Sequence, residues 1–131
     1  MYKGSCLCGT VNYEIEGEPG DIVFCHCSRC RKANGTAFLA AAPVQTEQFS
    51  IVSGNQSLVE YESSPGVYRV FCGQCGSPLF SKRDAMPETI RVRIGTLDTP
   101  IESKPTAHIF VADKANWFDI RDEAPQFPER P

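Results

Sequence analysis

Three thiols stand within six residues at Cys25-His26-Cys27-Ser28-Arg29-Cys30, a C-x-C-x-x-C pattern. Two further pairs flank it, Cys6-Leu7-Cys8 upstream and Cys72-Gly73-Gln74-Cys75 downstream. Thiolates are soft anionic ligands suited to zinc, and short spacings bring several of them onto one ion. On an extended strand, residues i and i+2 face the same side, so Cys6 with Cys8, and Cys25 with Cys27, can each aim two sulfurs at one centre. A pair at i and i+3 needs a turn between its members. Cys72-Gly73-Gln74-Cys75-Gly76 supplies glycines where a tight metal-binding knuckle calls for positive φ.

The seven cysteines divide as four plus three. Four thiolates close a tetrahedral structural zinc site, whereas three leave a fourth position for water or substrate, as catalytic zinc sites do. Spacing alone leaves the partition open: Cys6 and Cys8 can join Cys72 and Cys75, or Cys25 and Cys27. The first choice is preferred because it keeps C-x-C-x-x-C intact as a local three-ligand unit. An odd count would leave one thiol unpaired in an oxidising compartment, and clustered thiols in a reducing one more often hold metal. A redox reading of Cys72-x-x-Cys75 calls for a helix opening inside a βαβ unit; glycines and short strands stand there instead.

The elements that would position these thiols are short strands. Residues 10–16 alternate, with Val11, Tyr13 and Ile15 on one side and Asn12, Glu14 and Glu16 on the other, the pattern of a half-buried strand. Gly17-Glu18-Pro19-Gly20 is a turn, and Asp21-Ile22-Val23-Phe24 carries the chain as a strand into Cys25. Residues 28–34 form a polar, basic helical turn stopped by Gly35. Residues 36–42 form a small apolar strand ended by Pro43. Strands are expected at 49–52 and 58–61, with Ser53-Gly54-Asn55-Gln56 as the turn between them. A further turn at 63–66 leads into a strand over 67–71. Ile90-Arg91-Val92-Arg93-Ile94 alternates strictly, and Ala107-His108-Ile109-Phe110-Val111 is a late strand. Residues 113–117 suit a short helical turn. The tail from Ala124, with Pro125, Pro128 and Pro131, reads as extended and irregular. Short strands punctuated by turns, without helical periodicity, specify an all-β domain.

At 131 residues the chain suits one domain, residues 1–131, with length enough for a real core. Its 41% hydrophobic and 22% charged residues are those of an ordinary globular protein. The net charge of -3 argues against nonspecific nucleic-acid binding. No apolar run approaches the roughly 20 residues that span a bilayer. The start, Met1-Tyr2-Lys3-Gly4-Ser5-Cys6, carries no apolar signal region, so the expected location is the cytoplasm.

Three stretches carry a resemblance: Gly4-Ser5-Cys6-Leu7-Cys8-Gly9, Cys25-His26-Cys27-Ser28-Arg29-Cys30-Arg31-Lys32, and Phe71-Cys72-Gly73-Gln74-Cys75-Gly76-Ser77-Pro78-Leu79-Phe80. Together with Ile94-Gly95-Thr96-Leu97-Asp98, His108-Ile109-Phe110 and Pro125-Gln126-Phe127-Pro128, they resemble the glutathione-dependent formaldehyde-activating enzyme (GFA) family, which includes the centromere protein V domain. The resemblance covers nearly the whole chain. It implies an all-β, tent-like zinc fold of several short antiparallel sheets. It implies a structural zinc on Cys6, Cys8, Cys72 and Cys75, and a catalytic, more labile zinc on Cys25, Cys27 and Cys30. The implied activity is that of a carbon–sulfur lyase interconverting S-hydroxymethylglutathione with glutathione and formaldehyde. Members with that chemistry resemble a longer chain at the N-terminus, whereas Cys6 comes almost at once here.

An open zinc position would activate a small thiol or polarise an aldehyde oxygen, which suits such a reaction. Arg29, Arg31 and Lys32 could receive the carboxylates of a peptide-like thiol; a solvated basic turn is the simpler reading. His26, between two candidate ligands, should point away from them, to the surface or to packing behind the ligands. His108 is a candidate general base, although an ordinary strand histidine is the simpler reading. Trp117 and Phe118 could line a pocket mouth; core packing is preferred. The competing functional class is a non-catalytic zinc-binding or protein-interaction module, since a fold does not fix function.

Overall fold

A computed structural model describes all residues 1–131. The chain carries ten strands, one short α-helix and four 3-10 turns, and forms two compact units: residues 1–20 with 42–101, and residues 21–41 with 102–131. The fold is mostly β, as expected.

In the first unit, β1 (Tyr2–Ser5), β2 (Asn12–Ile15) and β5 (Phe49–Ser53) form an antiparallel sheet in the order β1-β2-β5. The alternation of residues 10–16 is realised directly, with Val11, Tyr13 and Ile15 buried. Burying each such side chain favours folding by roughly 1.5–3 kcal/mol. They meet Val70, Leu79, Phe80, Ile90 and Val92 in one core. Those residues come from an antiparallel meander of β6 (Leu58–Ser64), β7 (Val67–Cys72), β8 (Pro78–Arg83) and β9 (Thr89–Arg93). Residues 53–57 do not close a hairpin as expected: β5 pairs with β2, and β6 pairs with β7. The apolar face of β5 matches the buried face of β2, and that partnership prevails over sequence proximity.

In the second unit, β3 (Ile22–Cys25) is antiparallel to the start of β4 (Leu39–Gln45) and parallel to β10 (Pro105–Ile109). The β3–β10 pair departs from the antiparallel expectation. Helix α1 (Ser28–Asn34) follows β3 and ends where expected, at Gly35 in the left-handed conformation with φ 69°. There glycine meets no Cβ penalty. Its N–H donates to the Arg31 carbonyl at 2.7 Å.

Pro43 does not end β4, which runs on to Gln45. The rungs to β3 use only Leu39, Ala40 and Ala41, so the missing N–H of Pro43 falls beyond them. Its carbonyl still accepts Gly20 N–H at 2.8 Å. The proline-rich tail runs alongside β10 rather than loosely: His108 N–H donates to Pro125 O and Phe127 N–H to His108 O, both at 2.9 Å. The expected short helical turn over 113–117 is realised as two separate tight turns, a 3-10 turn at Val111–Asp113 and a turn in which Phe118 N–H donates to the Ala115 carbonyl at 3.2 Å.

Candidate metal centres

The first unit gathers Cys6, Cys8, Cys72 and Cys75, with all four sulfurs within 4.8 Å of one another. Cys6 follows β1 and Cys72 closes β7, so the paired cysteines arrive from two different sheets. Cys6 Sγ lies 3.6 Å from Cys8 Sγ, and Cys8 Sγ lies 3.9 Å from Cys72 Sγ. Main-chain N–H groups point at the sulfurs: Val11 N–H donates to Cys6 Sγ at 3.2 Å, and Gln74 N–H to Cys72 Sγ at 3.3 Å. Gly76 closes the second knuckle with φ 81°, donating to the Cys72 carbonyl at 2.7 Å. Positive φ is affordable there because glycine has no Cβ.

In the second unit, Cys25, Cys27 and Cys30 also hold their sulfurs within 4.8 Å of one another. Each occupies a different local position. Cys25 is the last residue of β3, Cys27 is the N-cap of α1, and Cys30 lies in the first turn of that helix. The Cys27 sulfur accepts Cys30 N–H at 3.3 Å, taking the place of the usual capping oxygen. Cys30 is buried, while Cys25 and Cys27 are half-buried. Cys30 packs with Leu39 and Ala41, which places apolar side chains behind the thiols.

Both sets fit a zinc-like dication. Zinc–thiolate bonds of ~2.3 Å in a tetrahedron set sulfur–sulfur distances of about 3.8 Å, close to the spacings of the first cluster. In the three-thiol cluster the neighbouring thiols hinder ionisation. Hydrogen bonding with Cys27 and with Cys30, then burial, pushes the Cys25 thiol far up. Burial pushes Cys72 up to about 11, while the Ser77 hydroxyl brings Cys75 down to about 5. A bound dication reverses the penalty of crowded thiolates, because a coordinating thiol is deprotonated outright. None of the seven cysteines forms a disulfide.

His26 points away from the thiols, as its place between Cys25 and Cys27 predicts, and into the interior: it is fully buried. Its Nε2 lies 2.8 Å from His108 Nδ1. His108 is therefore no ordinary strand histidine, since its Nε2 also lies 2.9 Å from Asp122 Oδ2. Burial first, then the neighbouring His108, Lys114 and Arg31, hold His26 down to about 4. Phe118 packs at 5.5 Å from Phe38. Trp117 contradicts the core-packing expectation, being 70% exposed, because the aromatic cluster already has Phe24, Phe38 and Phe118. Arg29 and Lys32 are exposed, in keeping with a solvated basic turn, whereas Arg31 is half-buried with its Nε enclosed. Asp122 escaped the sequence reading; no local motif distinguishes it from the neighbouring Asp119 and Glu123.

A family model described as "Glutathione-dependent formaldehyde-activating enzyme" matches residues 1–113. An uncharacterised lyase of Schizosaccharomyces pombe is 33% identical over 79 residues, covering 60% of this chain and 56% of the relative. A putative glutathione-dependent formaldehyde-activating enzyme of Talaromyces marneffei is 28% identical over 60% of this chain and 44% of its own length. One of the same description from Phaeosphaeria nodorum is 25% identical over 79% of this chain and 45% of its own length. The match thus spans about half the length of these curated relatives. Among solved structures, a Rhodobacter sphaeroides protein superposes with a TM-score of 0.65 at 29% identity, covering 76% of this chain and 91% of that one.

Proposed function

The chain belongs to the glutathione-dependent formaldehyde-activating enzyme family, and on that premise we propose that it is a zinc-dependent carbon–sulfur lyase acting on the adduct of a small thiol and an aldehyde, of the S-hydroxymethylglutathione type. In the forward direction the thiol sulfur bonds to the aldehyde carbon and the thiol proton ends on the aldehyde oxygen; cleavage runs the reverse. The observation that carries the reading is the cluster at the β3–α1 junction, with three protein thiols where a closed site has four.

Cys25, Cys27 and Cys30 are the residues that would hold the catalytic zinc, and Cys6, Cys8, Cys72 and Cys75 those that would hold a structural one. Zinc in the three-thiol site would supply a Lewis acid with one exchangeable position, able to acidify a thiol or polarise an aldehyde oxygen. The apolar backing of Leu39 and Ala41 limits water behind the thiols. Residues 1–131 act as one domain on this reading, and β4 contributes residues to both compact units. A reducing, cytoplasmic compartment suits seven uncrosslinked thiols. No helix is long and apolar enough to cross a membrane.

The test is exchange NMR on formaldehyde and glutathione with zinc-loaded protein. Interconversion of free thiol and hydroxymethyl adduct should run faster than in buffer. Cys27→Ser should return it to the buffer rate while the fold persists by circular dichroism. Unaccelerated exchange, with glutathione and with a panel of other small thiols, would favour the non-catalytic zinc-binding module instead.

A further inference from the structure

Three side chains of the second unit form a hydrogen-bonded line that neither thiol cluster uses. Asp122, with its side chain 51% exposed, takes Ala124 N–H on Oδ1 at 3.0 Å. His108 Nε2 lies 2.9 Å from Asp122 Oδ2 and 3.1 Å from Oδ1. His108 Nδ1 lies 2.8 Å from His26 Nε2. The line ends at His26 Nδ1, which is buried and has no partner.

Its direction follows from what each atom can donate. The hydrogen bond from His108, then that from Ala124 N–H, holds the Asp122 carboxyl below its ordinary range, so it is an anion and only accepts. His108 Nε2 therefore carries a proton. In a neutral ring that leaves Nδ1 as an acceptor, and it takes the proton of His26 Nε2. His26 Nδ1 then ends the line as a bare lone pair. The opposite direction requires a charged His108 and leaves an orphan N–H on buried His26 Nδ1, and orphaned buried N–H groups are rare.

His26 is also the residue between Cys25 and Cys27, and its own N–H donates to Ile109 O at 3.0 Å. Ring and main chain are thus both held by adjacent residues of β10. Asp122, the exposed end of the line, lies beyond the stretch that the family model matches.

The geometry points to Asp122 and His108 as positioning residues for the three-thiol cluster: the line fixes His26 in its Nε2–H tautomer, anchors the ring, and holds the backbone between Cys25 and Cys27 so that both sulfurs converge with Cys30. This rests on reading Cys25, Cys27 and Cys30 as an open metal site.

The experiment is NMR of the full chain labelled with 15N, at neutral pH, before and after zinc is added. Imidazole nitrogen shifts report the tautomers, and amide hydrogen exchange reports the His26 N–H. The expected wild-type state is Nε2–H on both histidines. Asp122→Ala, a change at a half-exposed side chain, should mix the tautomers and speed exchange at His26 by roughly tenfold or more, leaving Val70 in the other unit unchanged. Asp122→Glu should restore both. Nδ1–H on wild-type His26 overturns the inference, as does an Asp122→Ala variant with unaltered tautomers and His26 exchange. A zinc titration separates the two readings. Wild-type protein that takes zinc only on the four-thiol cluster would sink the open-site reading, while the histidine spectra and His26 exchange still decide the positioning role.

Discussion

Tyr13 shows how one residue joins packing to chemistry. It is 1% exposed, and its hydroxyl lies 2.7 Å from Thr96 Oγ1. The Thr96 proton goes to the Arg93 carbonyl at 2.8 Å, so the tyrosine is the donor. Burial pushes its phenol up to about 12. The folded state thus keeps a proton that an unfolded tyrosine releases near pH ~10, and stability falls as pH rises between those values. The expected loss across that window is about 2–3 kcal/mol. Urea unfolding at stepped alkaline pH measures it, and Tyr13→Phe should flatten the slope. The burial of Tyr13 was legible in the alternation of its strand. The depth of His26 was not. Alternation correctly turned it away from the thiols, but interior or solvent on that side was decided by His108, 82 residues away, and by Phe38 and Phe118.

At the level of the element, β1 and β2 fit each other through a glycine. Gly4 pairs with Tyr13 across the ladder, and the tyrosine ring lies over it. A Cβ at Gly4 would stand 2.2 Å from the ring. Gly4→Ala should therefore destabilise the fold by about 1–3 kcal/mol, the usual cost of overpacking, read from a chemical-denaturation midpoint. Tyr13→Ala in the same background should relieve the clash and give a non-additive double-mutant cycle. Most strands were legible because period-2 patterning specifies a buried face. Partners were less so. The β5 and β6 segments look like a hairpin from their spacing, yet each pairs elsewhere, and the parallel β3–β10 pair has no local signature at all. Pairing is chosen by matching faces across the chain, which a local pattern does not encode.

In the whole molecule each compact unit holds one thiol cluster. The two should fail differently. A structural zinc supplies apparent binding energy on the order of 10–16 kcal/mol, as large as the ~5–15 kcal/mol net stability of a typical domain. Cys72→Ser should therefore yield unfolded or aggregated protein, whereas Cys27→Ser should fold and retain one zinc per chain by elemental analysis. Equal loss of structure in both variants would contradict this division. The seven cysteines made the clusters legible at the level of spacing, and the structure brings together the preferred partition of four and three.

The second unit has one more consequence, for the order in which the parts are made. The C-x-C-x-x-C segment lies in its first stretch, while His108 and Asp122, the line that ends on its second residue His26, lie in its last. At roughly 5–20 residues per second, the ribosome delivers His108 on the order of 4–16 s after His26. Through that interval the three thiols are present without the histidine and carboxylate that brace them. On the open-site reading they are then accessible to oxidants and to ions other than zinc, so metal and redox conditions during translation bear on how the site is filled.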